Sequence, residues 1–308
     1  MTATHTETLA NIKNTIENKI KNVLYLTDFS QTSGSAHAYA LAVARKYSAT
    51  VHALHVLTPV IPESCVEAIK ADEDLADAEM QKVKLQMGDV ASTTIMSHES
   101  SVWAAVERAI RENHIDLIVL GTHGRTGGPR LLLGSVAEEI FRRSPVPVLT
   151  VGPASHSNAR KDIRFERVLF ATDFSPESRA ALPYVLSLAR EKSTQLVLLH
   201  VMPKLATPDR GLDRNREKQF EVSVAEAINE LYQIIPSGEV YNPPDVAVEY
   251  GQPAERIVEA AKERGADLIV LGIRNAAAHL GAATHLERPT AHKVVVHAHC
   301  PVITVWAS

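Results

Sequence analysis

Apolar residues along the chain gather in short runs, and between the runs lie stretches with the spacing of amphipathic helices. Leu117 to Leu120 and Leu268 to Leu271 are typical runs. Each is far below the roughly 20 residues that a membrane-spanning helix needs, so no spanning segment is predicted. Short strands alternating with helical stretches predict an α/β fold with a parallel sheet covered on both faces.

The pattern occurs twice. Val23-Leu-Tyr-Leu-Thr-Asp-Phe-Ser30 is echoed by Val168-Leu-Phe-Ala-Thr-Asp-Phe-Ser175, an offset of 145 residues between Asp28 and Asp173. At the same offset Tyr39 meets Tyr184, Ala44-Arg45 meets Ala189-Arg190, and Leu54-His55-Val56 meets Leu199-His200-Val201. Further on, Ile115-Asp-Leu-Ile-Val-Leu-Gly121 matches Ala266-Asp-Leu-Ile-Val-Leu-Gly272, and Pro145-Val matches Pro301-Val. Each half therefore reads as strand, turn, helix, strand, variable segment, strand, helix, strand, loop, helix, strand. In the second half Ser175-Pro176 supplies an N-cap followed by proline at the first helical position.

The charged stretches Ala68 to Lys84 and Asp209 to Glu230 fall at equivalent places and read as solvated helices. The expected division is a helical extension over 1–20, a first domain over 21–152, a polar linker over 153–164 and a second domain over 165–308.

A length of 308 residues suits two domains, each able to bury its own core. The formal net charge of −4 argues against a general nucleic-acid binder. Two cysteines, Cys65 and Cys300, suit a reducing compartment and are read as free thiols. The polar start from Met1 to Asn14 lacks the apolar stretch of a secretory signal, so a cytoplasmic protein is expected.

The chemistry concentrates in Gly121-Thr-His-Gly-Arg-Thr-Gly-Gly-Pro-Arg-Leu-Leu-Leu-Gly134-Ser135, which follows a strand and precedes a helical pattern from Val136 to Arg143. Ligands of open α/β sheets sit at such strand ends. A loop rich in backbone N–H groups feeding a helix N-terminus favours anions, Gly134 and Ser135 stand at that terminus, and Arg125 and Arg130 add positive charge. Phosphate is the expected guest. No Gly-Lys-Ser/Thr step is present, which excludes a P-loop. Thr-Asp-Phe-Ser occupies the turn where a dinucleotide-binding fold would carry Gly-x-Gly-x-x-Gly, or an ATP pyrophosphatase its Ser-Gly-Gly loop.

The spacing Gly121-x2-Gly124-x9-Gly134-Ser135, with the Thr-Asp-Phe-Ser turn, the His-Val strand end and the closing Pro-Val strand, resembles the ATP-binding branch of the universal stress protein family. The resemblance covers most of Val23 to Val151 and, more loosely, Val168 to Val305. It implies two domains, each a five-stranded parallel sheet of order 3-2-1-4-5, and a stress-response module that binds ATP, with Mg²⁺ as its companion ion. It also implies roles. Thr27 and Asp28 belong to the turn beside the ribose or adenine, and the backbone of Val56 pairs with the adenine edge. Gly121, His123, Gly124, Gly134, Ser135 and Val136 line the ribose and triphosphate, with Arg125 alongside. Family members pair as dimers, so the two halves are expected to pair within the chain, and a homodimer through edge strands and a regulatory protein partner remain open.

The second half departs from the motif. Asn275 stands where the second glycine is expected, and counting back from Pro301 puts Thr290 and Ala291 opposite Gly134 and Ser135. That half is expected to bind nucleotide weakly or not at all. Plainer readings compete for several residues: Asp28 and Asp173 suit a turn before a helix, His55 and His200 suit a hydrogen-bonded core or rim, and His297-Ala-His299-Cys300 suits a helix end better than a metal site. Slow ATP hydrolysis and a nucleotide-independent scaffold are the alternative functions. No catalytic or metal-binding residue is assigned.

Overall fold

The first apolar run becomes β1 (Asn22–Leu26), in which every residue after Asn22 is buried. The computed structural model describes residues 20–57, 66–122, 133–155, 163–203, 214–273 and 290–306. The expected helix over 1–20 thus lies almost wholly outside the described residues, as does Cys65. The chain divides into two compact units, Met1–Arg164 and Phe165–Ser308.

In the first unit, α1 (Gln31–Tyr47) starts where the Ser30 side chain accepts the Ser33 N–H, and ends at Ser48 in the left-handed region. β2 (Thr50–Val56), α2 (Val66–Gln86) and β3 (Ser92–Ser97) follow. Then come α3 (Val102–Glu112), β4 (Leu117–Gly121), α4 (Ser135–Arg143) and β5 (Val148–Val151). All strands run parallel in the order β3-β2-β1-β4-β5. β1, β2, β4 and β5 are buried almost throughout, whereas β3 exposes Thr93 and Thr94 on the edge.

The second unit repeats the plan with β6 (Arg167–Ala171), α5 (Pro176–Arg179), α6 (Leu182–Ala189), β7 (Gln195–Met202) and α7 (Arg214–Ile234). It ends with β8 (Asp245–Tyr250), α8 (Pro253–Glu263), β9 (Leu268–Ile273), α9 (Thr290–His297) and β10 (Val302–Trp306). Its parallel order is β8-β7-β6-β9-β10, the same 3-2-1-4-5 within the unit. The helix that is continuous in the first unit is broken here at Ala180 and Ala181. Pro183 sits one turn after Arg179 and has no N–H to give its carbonyl.

Two residues of the repeated Asp-Leu-Ile-Val-Leu-Gly segment have structural duties. Asp116 Oδ2 accepts the N–H groups of Lys21 and Asn22 at 2.8 and 3.0 Å, and Asp267 Oδ2 accepts those of Glu166 and Arg167 at 2.7 and 3.1 Å. Each carboxylate thereby ties the start of the central strand to its neighbour. At the other end, a Cβ on Gly121 would stand 2.9 Å from Thr32 Cγ2 and 3.1 Å from the Thr32 backbone. A Cβ on Gly272 would overlap the Glu177 carbonyl and stand 2.5 Å from Ser178 Cα. In both units this glycine makes room for the first turn of the helix that follows the unit's first strand.

Candidate functional site

At the C-terminal edge of the first sheet lies a crevice of about 300 Å³, at the lower end of the range of small-molecule sites. Thr27 and Asp28 follow β1, Val56 closes β2, Gly121 closes β4, and Gly134, Ser135 and Val136 open α4; all of these line it. His123, Gly124 and Arg125 lie outside the described residues, as do Arg130 and Asn275. The remaining walls come from Ser33 of α1, His55 of β2, Val102 of α3, Thr122 and Ala137, with Leu26, Leu54 and Leu120 as an apolar floor.

The turn after β1 is built from its own side chains. Thr27 Oγ1 accepts the Phe29 N–H at 3.0 Å and Asp28 Oδ1 accepts the Ser30 N–H at 3.0 Å, which bends the chain into the helix. Phe29 is left-handed, with φ 62°, a conformation that costs a non-glycine residue about 1 kcal/mol. The ring of His55 packs against it, tilted by 33°, at 4.3 Å between centroids. His55 Nδ1 lies 2.8 Å from the Thr27 carbonyl, which can only accept, so this nitrogen carries the proton.

The same latch stands in the second unit. Phe174 has φ 64°, stacks on His200 at 4.5 Å, and His200 Nδ1 donates to the Thr172 carbonyl at 2.8 Å. There Asp173 Oδ1 accepts both the N–H and the hydroxyl of Ser175, at 3.1 and 2.5 Å. Burial alone would raise the Asp173 carboxyl, but these bonds outweigh it and hold it below its ordinary value. The plainer reading of Asp28 and Asp173 thus has a physical basis in both units, and at Asp28 it coexists with a place in the crevice wall.

The far end of the crevice is the start of α4. Gly134 is its N-cap, with φ −61° and ψ 149°, and brings no side chain to cap the helix. Gly134 N–H goes to the Thr122 carbonyl at 2.8 Å, and Thr122 N–H to the Val151 carbonyl at 2.9 Å, so β4 and β5 hold this terminus in place. Ser135 and Val136 are exposed beside it, and the N–H groups of the first turn have no partner within the helix. Such a terminus carries partial positive charge toward the crevice. In the second unit α9 starts at Thr290, within one residue of the position counted from the sequence, and Ala291 and His292 behind it are buried.

Sequence reasoning placed the strand-end residues and missed Ser33, His55 and Val102 as walls. For Ser33 and His55 the signal was available, because Ser178 and His200 repeat them at the same offset. Elsewhere, His299 Nε2 lies 3.1 Å from the Ala266 carbonyl, and Cys300 is a free buried thiol pushed up to about 12 by burial and by nearby Asp267. Among the described residues no group of His, Cys, Asp and Glu is gathered as a metal site, and no helix is long and apolar enough to cross a membrane.

The fold and crevice define a tandem pair of α/β domains, the first with a crevice at the carboxyl ends of its strands, where open α/β sheets bind ligands. The model of the universal stress protein family matches residues 19–152 and again 164–305, and the chain belongs to that family. A universal stress protein of Methanocaldococcus jannaschii is 30% identical over 152 residues, which are 44% of this chain and 84% of that protein. One of Mycobacterium tuberculosis is 28% identical over 202 residues, 64% of this chain and 63% of that protein. The crystal structure of a universal stress protein from Archaeoglobus fulgidus superposes with a TM-score of 0.62 at 23% identity, covering 93% of this chain and 96% of that one.

Proposed function

We propose that the first unit binds one adenine nucleotide, ATP with Mg²⁺, and that the chain serves in the cytoplasm as a nucleotide-dependent stress-response module. The observation that carries this reading is the glycine-capped start of α4 facing an apolar crevice at the sheet's carboxyl edge. The base suits the floor beside Val56, whose backbone offers hydrogen bonds, with Asp28 toward the ribose. The phosphates suit Gly134, Ser135 and Val136, with His123, Gly124 and Arg125 of the glycine loop completing the cradle.

Binding is favoured over turnover because the one carboxylate among the described lining residues, Asp28, is engaged in shaping its own turn. The proposed switch is ordering of the loop from Thr122 to Leu133 by nucleotide, which alters the surface offered to a regulatory protein or to a second copy of the chain. The second unit keeps the latch but lacks the Gly-Ser step, so it acts as a partner domain.

Nucleotide released by denaturing protein purified without added ligand, and identified by mass, tests the reading. About one adenine nucleotide per chain is expected for a single site. No nucleotide, followed by no binding of ATP in titration, overturns it in favour of a scaffold.

A further inference from the structure

The duplication supplies an internal control for the crevice. In both units the helix N-cap is the same: Ser33 N–H goes to Ser30 Oγ at 3.2 Å and Ser178 N–H to Ser175 Oγ at 3.1 Å. The second serine of each pair returns its hydroxyl to the first serine's carbonyl, at 2.9 and 3.0 Å. Each also meets the threonine of the turn, Thr27 at 3.2 Å and Thr172 at 2.9 Å. The turn and cap therefore form alike in both settings.

What differs lies underneath. Tyr25 of the first unit is Phe170 in the second. The Tyr25 side chain is almost fully buried, and its hydroxyl donates to the Ser33 carbonyl at 2.8 Å. Burial pushes the phenol up to about 12, so it keeps its proton at every physiological pH. Ser33, whose carbonyl it holds, is a wall of the crevice.

The helix starts also stand at different distances from the strand that ends in glycine. In the first unit the nearest helix backbone is 3.1 Å from an ideal Cβ on Gly121, whereas in the second Ser178 Cα is 2.5 Å from that on Gly272 and the Glu177 carbonyl is nearer still. The first turn of α5 thus presses closer to the sheet edge than that of α1. Position 25 differs by one hydroxyl, and that hydroxyl lies between sheet and helix. The break at Pro183 is a second difference, and the substitution of position 25 alone separates the two.

We infer that Tyr25 is a positioning residue for the nucleotide site: its hydroxyl, bonded to the Ser33 carbonyl, sets how closely the first turn of α1 approaches the sheet edge and so the width of the crevice at Ser33. It touches no ligand itself. The inference rests on the nucleotide reading above, and deepens it by naming what distinguishes the binding unit from its partner beneath the first helix.

The test is Tyr25→Phe in the full chain, titrated with ATP and with adenosine beside the unaltered protein, together with the thermal unfolding of each without ligand. Phe170 occupies the equivalent place in a folded unit, so folding is expected to survive. Loss of one wall-setting hydrogen bond should weaken ATP about three- to tenfold. Incorporating para-aminophenylalanine at position 25, which restores a donor of similar reach, should recover most of the affinity. Equal affinity of Tyr25→Phe and the unaltered protein overturns the inference while leaving the site intact. So does a fall in affinity that the amino donor fails to recover, because the spacing bond would then be irrelevant. Absence of binding by the unaltered protein overturns the nucleotide reading itself, and the inference with it.

Discussion

Where α4 begins, the first unit leaves a glycine-capped helix end against an apolar crevice; where α9 begins, the second unit has Thr290 followed by the buried residues Ala291 and His292. Between the two units the turn after the first strand hardly changes, down to the left-handed phenylalanine and the histidine ring packed against it. The difference teaches that the Thr-Asp-Phe-Ser turn is a part of the fold. What separates the two units lies at the helix that follows the fourth strand, and in the packing beneath the first helix.

The largest effect expected is at the repeated glycine. Gly272→Ala drives a methyl into the Glu177 carbonyl and should cost the second unit about 3 kcal/mol, whereas Gly121→Ala meets mainly the Thr32 methyl and should cost about 1 kcal/mol. Chemical denaturation of the two variants checks this, and equal losses would break the ranking.

Next is a pH dependence that Asp267 gives the second unit. Asp267 Oδ1 is buried with no hydrogen-bond partner, and burial raises this carboxyl to about 6 in the fold against 3.8 in the open chain. A group whose folded value is raised contributes stability below the unfolded value, and loses that contribution as pH rises through the folded one. The second unit should therefore lose on the order of 2 kcal/mol between about pH 4 and pH 7 from this group, and Asp267→Asn should flatten that slope. A denaturation series over pH measures it; an unchanged slope in Asp267→Asn would reject the assignment.

Gly134 sharpens the comparison from the ligand side. Its φ of −61° suits any residue, so Gly134→Val should cost the fold no more than about 1 kcal/mol, the disadvantage of valine at an N-cap. Its side chain would stand at the start of α4, and ATP affinity should fall at least about tenfold, read by calorimetric titration. Retained affinity would detach α4 from the phosphates. Smallest are the paired caps: Ser30→Ala and Ser175→Ala should each cost about 1 kcal/mol, in the first and second unit respectively. Unequal losses would show that the two turns are less alike in energy than in geometry.

Much of the architecture was legible because duplication writes each element twice. The offset between Asp28 and Asp173 aligned the strands, and the parallel order follows from alternation with helices. Strand-end site residues were legible for the same reason, since a parallel sheet gathers all its strand ends on one edge. Contacts between distant segments were not. Nothing near Gly121 in the chain says that Thr32 packs on it, and nothing near Asp116 says that it receives two N–H groups from Lys21 and Asn22. Ser33 and Val102 joined the crevice through α1 and α3, whose approach to the sheet edge no local pattern encodes.

The indole of Trp103 follows Val102, a wall of the crevice, and is buried under the guanidinium of Arg143, 4.7 Å from the ring centroid. Arg143 ends the same helix whose first residues open the crevice. A shift of α4 along its axis would therefore slide a positive charge across the face of an emitting ring. Emission from Trp103 would then report at one end of α4 a displacement made at the other.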